Sequence, residues 1–377
     1  MAALQAAVSS QLAISFFSSL IIPGAENNLV CSPLSISSAL ALVAAGSRGK
    51  TLKEIADALN WGEDAKGLAK ALLTETEKAA QNCGVSCPVK TVNKVWVDNE
   101  FKILDSYSEL LKSFAVDVGK ADFKKHSSDE TTKINSWVED QTNKKIRDFV
   151  PPGEISQTTK AVLVNALYFK GKWAEPFDMQ FTRDDTFHIS NSKEVSVKMM
   201  YHSAKLKYFM DEKSKCDLVE LPYSSKAFSM LIVVPHEVEG LSDVQSSLSL
   251  SQVSSWISNV QSAHPQTVDV FLPRFKVSQK VNMKDHLKQL GITDMFSRQA
   301  DLSGIAGSHN LFVSSAMHQA VIEVNEEGTE AAAATGFGIN FMSMPMQVRA
   351  DKPFLFLIIS NVTKSILFIG KIANPAA

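Results

Sequence analysis

The chain has 377 residues, 45% of them hydrophobic, so it can bury a sizeable core as one large domain or two ordinary ones. Lys and Arg number 38 and Asp and Glu number 40, which gives a formal net charge of -2. A chain this close to neutrality offers no electrostatic reason to expect nucleic acid or an acidic surface as its partner. We therefore expect protein partners.

The N-terminal stretch MAALQAAVSSQLAISFFSSLII predicts an amphipathic helix, because Gln and Ser interrupt its apolar residues at helical spacing. It lacks the basic start of a signal peptide. No later run reaches the roughly 18 to 20 apolar residues that a membrane-spanning helix needs, so no membrane anchor is expected.

The four cysteines, Cys31, Cys83, Cys87 and Cys216, are too few for a disulfide scaffold and fit no common zinc spacing. Free thiols are the expectation, and pairing of Cys83 with Cys87 in an oxidising compartment is the alternative. With no signal peptide, these thiols favour a cytoplasmic protein, and a mature secreted chain is the alternative.

Helical patterns dominate the first third of the chain, and strand patterns rich in Val, Ile and Phe dominate the rest. The helical segments include LSISSALALVAAG, TLKEIADAL and GLAKALLTETEKAAQ. The strand segments include KTVNKVWVD, KAVLVNALYF, FSMLIVVP, AVIEVNE, FLFLIIS and SILFIGKI. This order predicts an α+β fold, and with neither repeat nor linker we expect one domain over residues 1–377.

No motif of enzyme catalysis is apparent. AAGSRGKT resembles a phosphate-binding loop, but Ala44 replaces its first glycine and a helix precedes it where a strand is required. G-x-S-x-G and H-E-x-x-H are absent, and the histidines show no metal-ligand spacing. We predict that the protein is not an enzyme and has no metal or cofactor site. The alternative is a thiol enzyme that pairs Cys31 or Cys216 with a histidine.

The most informative segment is VNEEGTEAAAATGFGINFMSMPMQV, residues 324–348. Its polar start and small residues predict a loop, yet it keeps the two-residue period of a strand. One face carries Thr329, Ala331, Ala333, Thr335, Phe337, Ile339 and Phe341. This combination indicates a segment with two conformations, an exposed loop and a strand within a sheet. Ala and Thr are small enough to enter an existing sheet.

With its neighbours, this segment resembles the reactive-centre loop of serpins, and the resemblance covers essentially the whole chain. The supporting motifs in order are CSPLSI (31–36), GSRG (46–49), VNALYFKGKW (164–173), FLPRF (271–275), EGTEAA (327–332), DKPF (351–354) and FIGK (368–371). The resemblance implies three β-sheets with eight or nine helices and an exposed reactive-centre loop at about 326–345.

The resemblance also implies the activity: a serine protease attacks the loop, forms a covalent acyl-enzyme complex, and is trapped when the loop inserts into the main sheet. Such an inhibitor is consumed once, is not an enzyme, needs no cofactor and is expected to be a monomer. No nucleic acid or membrane partner is expected.

Family spacing places the cleaved bond fourteen residues after Gly328, between Met342 and Ser343, and Met342 also lies ten residues before Lys352. Methionine is long and apolar, which suits chymotrypsin-like or elastase-like proteases and not trypsin-like ones. Phe341 is the alternative bait residue, for a chymotrypsin-like enzyme that cuts one bond earlier.

Further roles follow from the resemblance, residue by residue. Ser32, Ser35, Asn165 and His318 match a buried polar network under the main sheet, here called the central network, and Trp173 matches the tryptophan where the loop first enters. The hinge comprises Glu327, Gly328, Thr329, Glu330, Ala331, Ala332, Ala333, Ala334 and Thr335.

A non-inhibitory serpin that acts as a binding or chaperone protein is the main alternative. Bulky, charged or proline residues in the hinge would indicate it, because they resist entry into a sheet. From Gly328 to Thr335 the hinge is Gly, Thr, Glu, four Ala and Thr, and no proline precedes Pro345. The hinge therefore favours inhibition, although Gly336, Gly338 and Asn340 are weak strand formers that would slow insertion.

Overall fold

Helices and strands alternate in the computed structural model of the protein, which describes residues 11–12, 14–22, 24–82, 89–307, 310–327 and 345–377, without the side chains of residues 63 and 75–82. The helices are α1 (residues 11–12 and 14–20), α2 (Pro33–Gly46), α3 (Gly49–Ala58), α4 (Ala65–Asn82), α5 (Asp105–Lys112), α6 (Phe123–Gln141), α7 (Leu241–Ser246), α8 (Leu250–Ser262), α9 (Met283–Gln289) and α10 (Ser303–Ala306). Helix α10 is a single turn of 4 residues. The nine longer helices in the described part of the chain agree with the eight or nine that the serpin resemblance implies.

The strands lie mostly in the later part of the chain, as the α+β prediction requires. They are β1 (Leu29–Cys31), β2 (Val89–Asp98), β3 (Val118–Ala121), β4 (Ala161–Phe169), β5 (Arg183–Ser190), β6 (Lys193–Asp211), β7 (Cys216–Pro222), β8 (Phe228–Pro235), β9 (Gln266–Pro273), β10 (Phe275–Asn282), β11 (Val313–Val324), β12 (Met346–Arg349), β13 (Phe354–Ser360) and β14 (Ile366–Ile372).

The large sheet has five strands in the order β10-β11-β4-β2-β3. Strand β11 pairs with β4 in parallel, while β2 and β4 are antiparallel. Strand β4 has the sequence AVLVNALYF and is buried along its whole length, as expected of a strand that is covered on both faces. Asn165 interrupts this apolar run at its middle.

Two further sheets share the long strand β6. Strand β6 pairs with β5 through its residues 193–199 and with β9 through its residues 199–206. Strand β9 also pairs with β12. These strands form the small sheet. Residues 207–211 of β6 pair with β7 and continue into the middle sheet, in the order β7-β8-β13-β14-β1. The described residues thus form the three sheets that the resemblance implied.

Helix α6 covers one face of the large sheet. Its Phe123 and Val138 pack in one apolar cluster with Val164 of β4, whereas Leu163 and Leu167 of β4 belong to two other clusters. Because side chains alternate along a strand, Asn165 faces the same side as Leu163 and Leu167. A polar side chain therefore lies between two apolar clusters, on the face away from α6.

Helix α2 lies against that face and is almost wholly buried. Ser32 caps its N-terminus, with Oγ accepting a hydrogen bond from the backbone N–H of Ser35 at 3.3 Å. Pro33 occupies the start of the helix, where its missing N–H costs nothing. The cap brings Ser32 and Ser35 beneath strands β4 and β11.

No described helix has both the length and the apolar character needed to cross a bilayer.

Candidate functional site

Two neighbouring strands of the large sheet, β4 and β11, pair directly with each other. Their parallel register runs from Val313 opposite Ala161 to Ile322 opposite Phe169. Strand β11 ends at Val324, and the chain returns at β12, in the small sheet, from Met346. The predicted loop thus connects the end of the large sheet to the small sheet, and the position that an inserted strand would take between β4 and β11 is closed.

His318 of β11 lies opposite Asn165 of β4 in this register. Its Nε2 accepts a hydrogen bond from the backbone N–H of Ser32 at 3.2 Å, so Nε2 carries no proton. The proton is therefore on Nδ1, which donates to Oδ1 of Asn165. Complete burial lowers the pKa of His318 from 6.5 to about 3, which agrees with a neutral ring that bridges α2 and β4.

Asn165 connects His318 to the rest of the central network. Its Nδ2 lies 2.6 Å from Oγ of Ser35 and 2.9 Å from the backbone oxygen of the same residue. Nδ2 also donates to Oδ1 of Asn93 on β2. The structure therefore brings together the four residues named from the sequence, Ser32, Ser35, Asn165 and His318, and adds Asn93 as a fifth.

Trp173 holds the chain where it leaves β11. Its Nε1 donates to the backbone oxygen of Asn325 at 2.9 Å. Its ring stacks on Tyr223, with centroids 4.6 Å apart and planes inclined by 9°. The tryptophan thus lies at the start of the predicted loop, and its role in loop entry stays a prediction.

Glu326 is a buried carboxylate in the next position along the chain, only 4% exposed. Nε of Arg274 lies 2.6 Å and 2.7 Å from its two oxygens, and the Thr182 hydroxyl donates to it at 2.5 Å. A buried charge is tolerated only when it is paired in this way. The ion pair joins the loop start to Arg274, the single residue between β9 and β10.

Glu327, the first predicted hinge residue, has a side chain that is 71% exposed and lies 3.4 Å from Nζ of Lys170. The same ammonium lies 3.1 Å from Glu323. Partial burial acts to lower the pKa of Lys170, but hydrogen bonds and charges of Glu323 and Glu327 outweigh it and raise the pKa. Residues 325–327 are thus held one after another by Trp173, Arg274 and Lys170, here called the loop anchor.

Most of the predicted loop lies outside the described residues. Residues 328–344 and 83–88 are undescribed. Among them are Gly328, Thr329, Glu330, Ala331, Ala332, Ala333, Ala334, Thr335, Gly336, Phe337, Gly338, Ile339, Asn340, Phe341, Met342 and Ser343, together with Cys83 and Cys87. The bait residue, the hinge beyond Glu327 and the proposed cysteine pair therefore stay predictions.

The two described cysteines, Cys31 and Cys216, are both buried and unpaired. Burial raises the pKa of the Cys31 thiol, and burial with the charges of Asp211 and Asp217 raises that of Cys216 to about 12. Such thiols are weak nucleophiles at neutral pH, which argues against the thiol-enzyme alternative. In the described part of the chain, no cluster of three or more His, Cys, Asp or Glu side chains is arranged to hold a metal ion.

The sequence pattern does not identify Arg274 and Lys170 of the loop anchor, Thr182 beside Glu326, or Asn93 of the central network. Arg274 and Thr182 are 52 and 144 residues from Glu326 in the sequence, so nothing in the linear pattern connects them. One signal was present, because Arg274 stands in FLPRF between two strand patterns where an isolated charge needs a partner.

Comparison with known proteins identifies the family. The family model described as Serpin (serine protease inhibitor) matches residues 7–375. The chain is 89% identical over all 377 residues to "Serine protease inhibitor" of Cyanea capillata, with 100% of both chains covered. It is 37% identical to "Leukocyte elastase inhibitor" of Xenopus laevis, with 92% of this chain and 93% of the relative covered.

Solved structures have the same fold. Uncleaved ovalbumin superimposes with a TM-score of 0.88 at 29% identity, covering 98% of this chain and 100% of ovalbumin. Serpin48 of the insect Tenebrio molitor gives 0.84 at 32% identity, covering 98% of this chain and 97% of that structure. Together with the direct β4–β11 pair and the match over residues 7–375, these similarities show that the chain belongs to the serpin family.

Proposed function

We propose that this protein is an irreversible, suicide-substrate inhibitor of serine proteases with chymotrypsin-like or elastase-like specificity. The observation that carries the proposal is the direct parallel pairing of β4 with β11. A segment that follows β11 and folds back runs antiparallel to β11 and therefore antiparallel to β4 as well. Inserted between them, it replaces one parallel interface with two antiparallel ones, which are slightly more stable per residue.

The proposed chemical step begins on the loop. The protease serine oxygen attacks the carbonyl carbon of Met342, the Met342-Ser343 peptide bond breaks, and Ser343 leaves as a new amino terminus after accepting a proton. Met342 stays bound to the protease as an ester. Because cleavage frees the loop from β12, the loop can insert and carry the acylated protease with it. The inhibitor is used once, and the proposal needs no cofactor and no second copy of the chain.

In the proposed mechanism, the gain from insertion must exceed its cost. The β4–β11 bonds and the hydrogen bond between His318 and Asn165 must break. In return, one extra row of ladder hydrogen bonds forms, and about eight bonds at about 0.5–1.5 kcal/mol each are worth on the order of 4–12 kcal/mol. The apolar face of the loop is buried in addition. The proposal requires these gains to exceed both the broken contacts and the entropy lost when the loop is ordered, which would make the native state metastable with respect to the inserted one.

The target class follows from the bait residue and one relative. Met342 offers an unbranched apolar side chain, which fits an apolar primary pocket and leaves the acidic pocket of a trypsin-like enzyme unpaired. The relative from Xenopus laevis is named an inhibitor of leukocyte elastase, at 37% identity. Both support proteases with apolar primary pockets.

Incubation with chymotrypsin and with neutrophil elastase, each at several ratios, tests the proposal. Denaturing electrophoresis should show a complex that survives boiling, and mass spectrometry should find a released fragment beginning at Ser343. A fragment beginning at Met342 would instead identify Phe341 as the bait. Clean cleavage without a complex, with both proteases still active, would support the non-inhibitory alternative and contradict the proposal.

A further inference from the structure

The outward face of the small sheet carries a row of aromatic side chains. Tyr201 of β6 pairs with Phe271 of β9, which pairs with Arg349 of β12. The Tyr201 and Phe271 rings lie 5.1 Å apart, and the Arg349 guanidinium lies 4.6 Å over the Phe271 ring. Phe181 extends the row, 6.1 Å from Tyr201. These four residues are here called the aromatic row.

Large apolar side chains around the row are exposed to solvent. Phe181 is 39% exposed, and Met179, two residues before it in the chain, is 65% exposed. Tyr201, Phe271 and Arg349 are each partly exposed. Tyrosine and arginine are enriched among the side chains that dominate binding at protein interfaces, and a group of exposed apolar residues commonly marks an interaction site.

Hydrogen bonds hold two side chains of the row, Arg349 and Tyr201, before any partner arrives. Arg349 donates through Nε to Asp351 at 2.8 Å and through a terminal nitrogen to Asp185. The Tyr201 hydroxyl donates to Asp269 at 3.3 Å. Side chains fixed in this way lose little conformational entropy on binding, so the row is organised for contact.

The position of the row determines what can cover it. The proposed cleaved bond follows Met342. This residue lies four residues before Met346, the first residue of β12. Four residues of extended chain span at most about 14 Å. From Met346, Arg349 is about 10 Å further along the strand. A protease of about 230 residues has a radius of gyration of about 17 Å, so a protease whose cleft holds Met342 is large enough to reach the row.

We propose that the aromatic row is a second contact surface for the target protease, beside the bait segment, and that it accelerates formation of the first complex. This inference rests on the proposed function. The partner chemistry is an apolar rim beside the protease's substrate cleft, which Phe181, Tyr201 and Phe271 of the aromatic row would cover, while Arg349 of the row supplies a charge.

The test compares association rates of variants with each protease that the wild type traps. The double variant Phe181→Ser/Tyr201→Ser removes half of the row, and Met179→Ser removes an exposed side chain that supports no core. The matched control is Met210→Ser, at a methionine that is 43% exposed at the other end of β6. Urea unfolding midpoints check that each variant is folded.

We expect the double variant to associate about 10-fold more slowly, and Met179→Ser about 3-fold more slowly, as loss of interface side chains predicts. The number of inhibitor molecules consumed per trapped protease should stay the same, and the control should match the wild type. If Met179→Ser and the folded double variant both associate at the wild-type rate, the row makes no contact and the inference is wrong. A wild type that traps neither protease would overturn the proposed function as well.

Discussion

His318 and Asn165 lie directly opposite each other on the two strands that must separate for a loop to enter, and a hydrogen bond joins their side chains. The same imidazole accepts from Ser32 on α2. The ring thus connects β11, β4 and the helix beneath them. Every step in which the large sheet opens has to break or rearrange this connection.

The stability of the closed sheet should depend on pH through His318. Its pKa falls from 6.5 to about 3 on burial, so the unfolded state binds the proton first. The contribution of His318 to the free energy of unfolding is complete above pH 6.5. It is lost as the pH falls from 6.5 towards 3, at up to about 1.4 kcal/mol per pH unit. Urea midpoints of wild type and His318→Gln, measured between pH 7.5 and 4.5, should converge as the pH falls. Curves that stay parallel would rule this out.

The hydrogen bond and the ring of Trp173 should make separable contributions. Trp173→Phe removes the Nε1 donor to Asn325 but keeps an aromatic ring against Tyr223, and we expect it to cost about 1 kcal/mol. Trp173→Ala also removes the stacked ring and should cost about 3–5 kcal/mol. Equal losses in urea unfolding of the two variants would show that packing on Tyr223 contributes nothing.

Arg274→Met should destabilise the protein because it leaves the buried carboxylate of Glu326 with Thr182 alone. A loss of about 2 kcal/mol is expected, since removing one partner of a buried pair leaves an uncompensated charge. The second change Glu326→Gln should restore much of that stability. Arg183→Met, at an exposed arginine of β5, is the control and should have no effect. A double variant no more stable than Arg274→Met would contradict the pairing argument.

The strand period of the hinge predicts that neighbouring alanines differ in their tolerance of charge. Ala331 lies on the face with Thr329 and Ala333, which insertion would bury, and Ala332 lies on the other. Ala331→Glu should convert the protein into a substrate, raising the number of molecules consumed per trapped protease about 10-fold or more, because a buried unpaired carboxylate resists insertion. Ala332→Glu should raise it much less. The opposite order would show that the other face is buried.

Met342→Arg should redirect inhibition towards trypsin. A guanidinium pairs with the acidic primary pocket of a trypsin-like enzyme and is desolvated without a partner in an apolar pocket. We expect the association rate constant with trypsin to rise by about 100-fold or more and that with elastase to fall comparably. The same substitution at Phe341 should leave the preference unchanged, unless Phe341 is the bait.

Local patterns predicted much of the fold. The segments LSISSALALVAAG, TLKEIADAL and GLAKALLTETEKAAQ form α2, α3 and α4, and KAVLVNALYF, FLFLIIS and SILFIGKI form β4, β13 and β14. These runs carry their own period, so neighbours in the sequence suffice to predict them.

Pairings between distant residues could not be predicted in this way. Arg274 meets Glu326, and Trp173 meets the backbone of Asn325 152 residues away, only because β10, β11 and β4 are neighbours in one sheet. Asn93 was missed for the same reason, since its role depends on the register that places it opposite Asn165. The central network itself was identified by resemblance and not by any local pattern.

Thermal unfolding of the protein before and after a single cut at Met342-Ser343 tests loop insertion most directly, combined with hydrogen exchange of residues 329–340. Because insertion adds a row of ladder bonds, we expect the midpoint to rise by on the order of 10 °C or more and the loop amides to become protected after the cut. An unchanged midpoint with loop amides that still exchange freely would contradict insertion between β4 and β11.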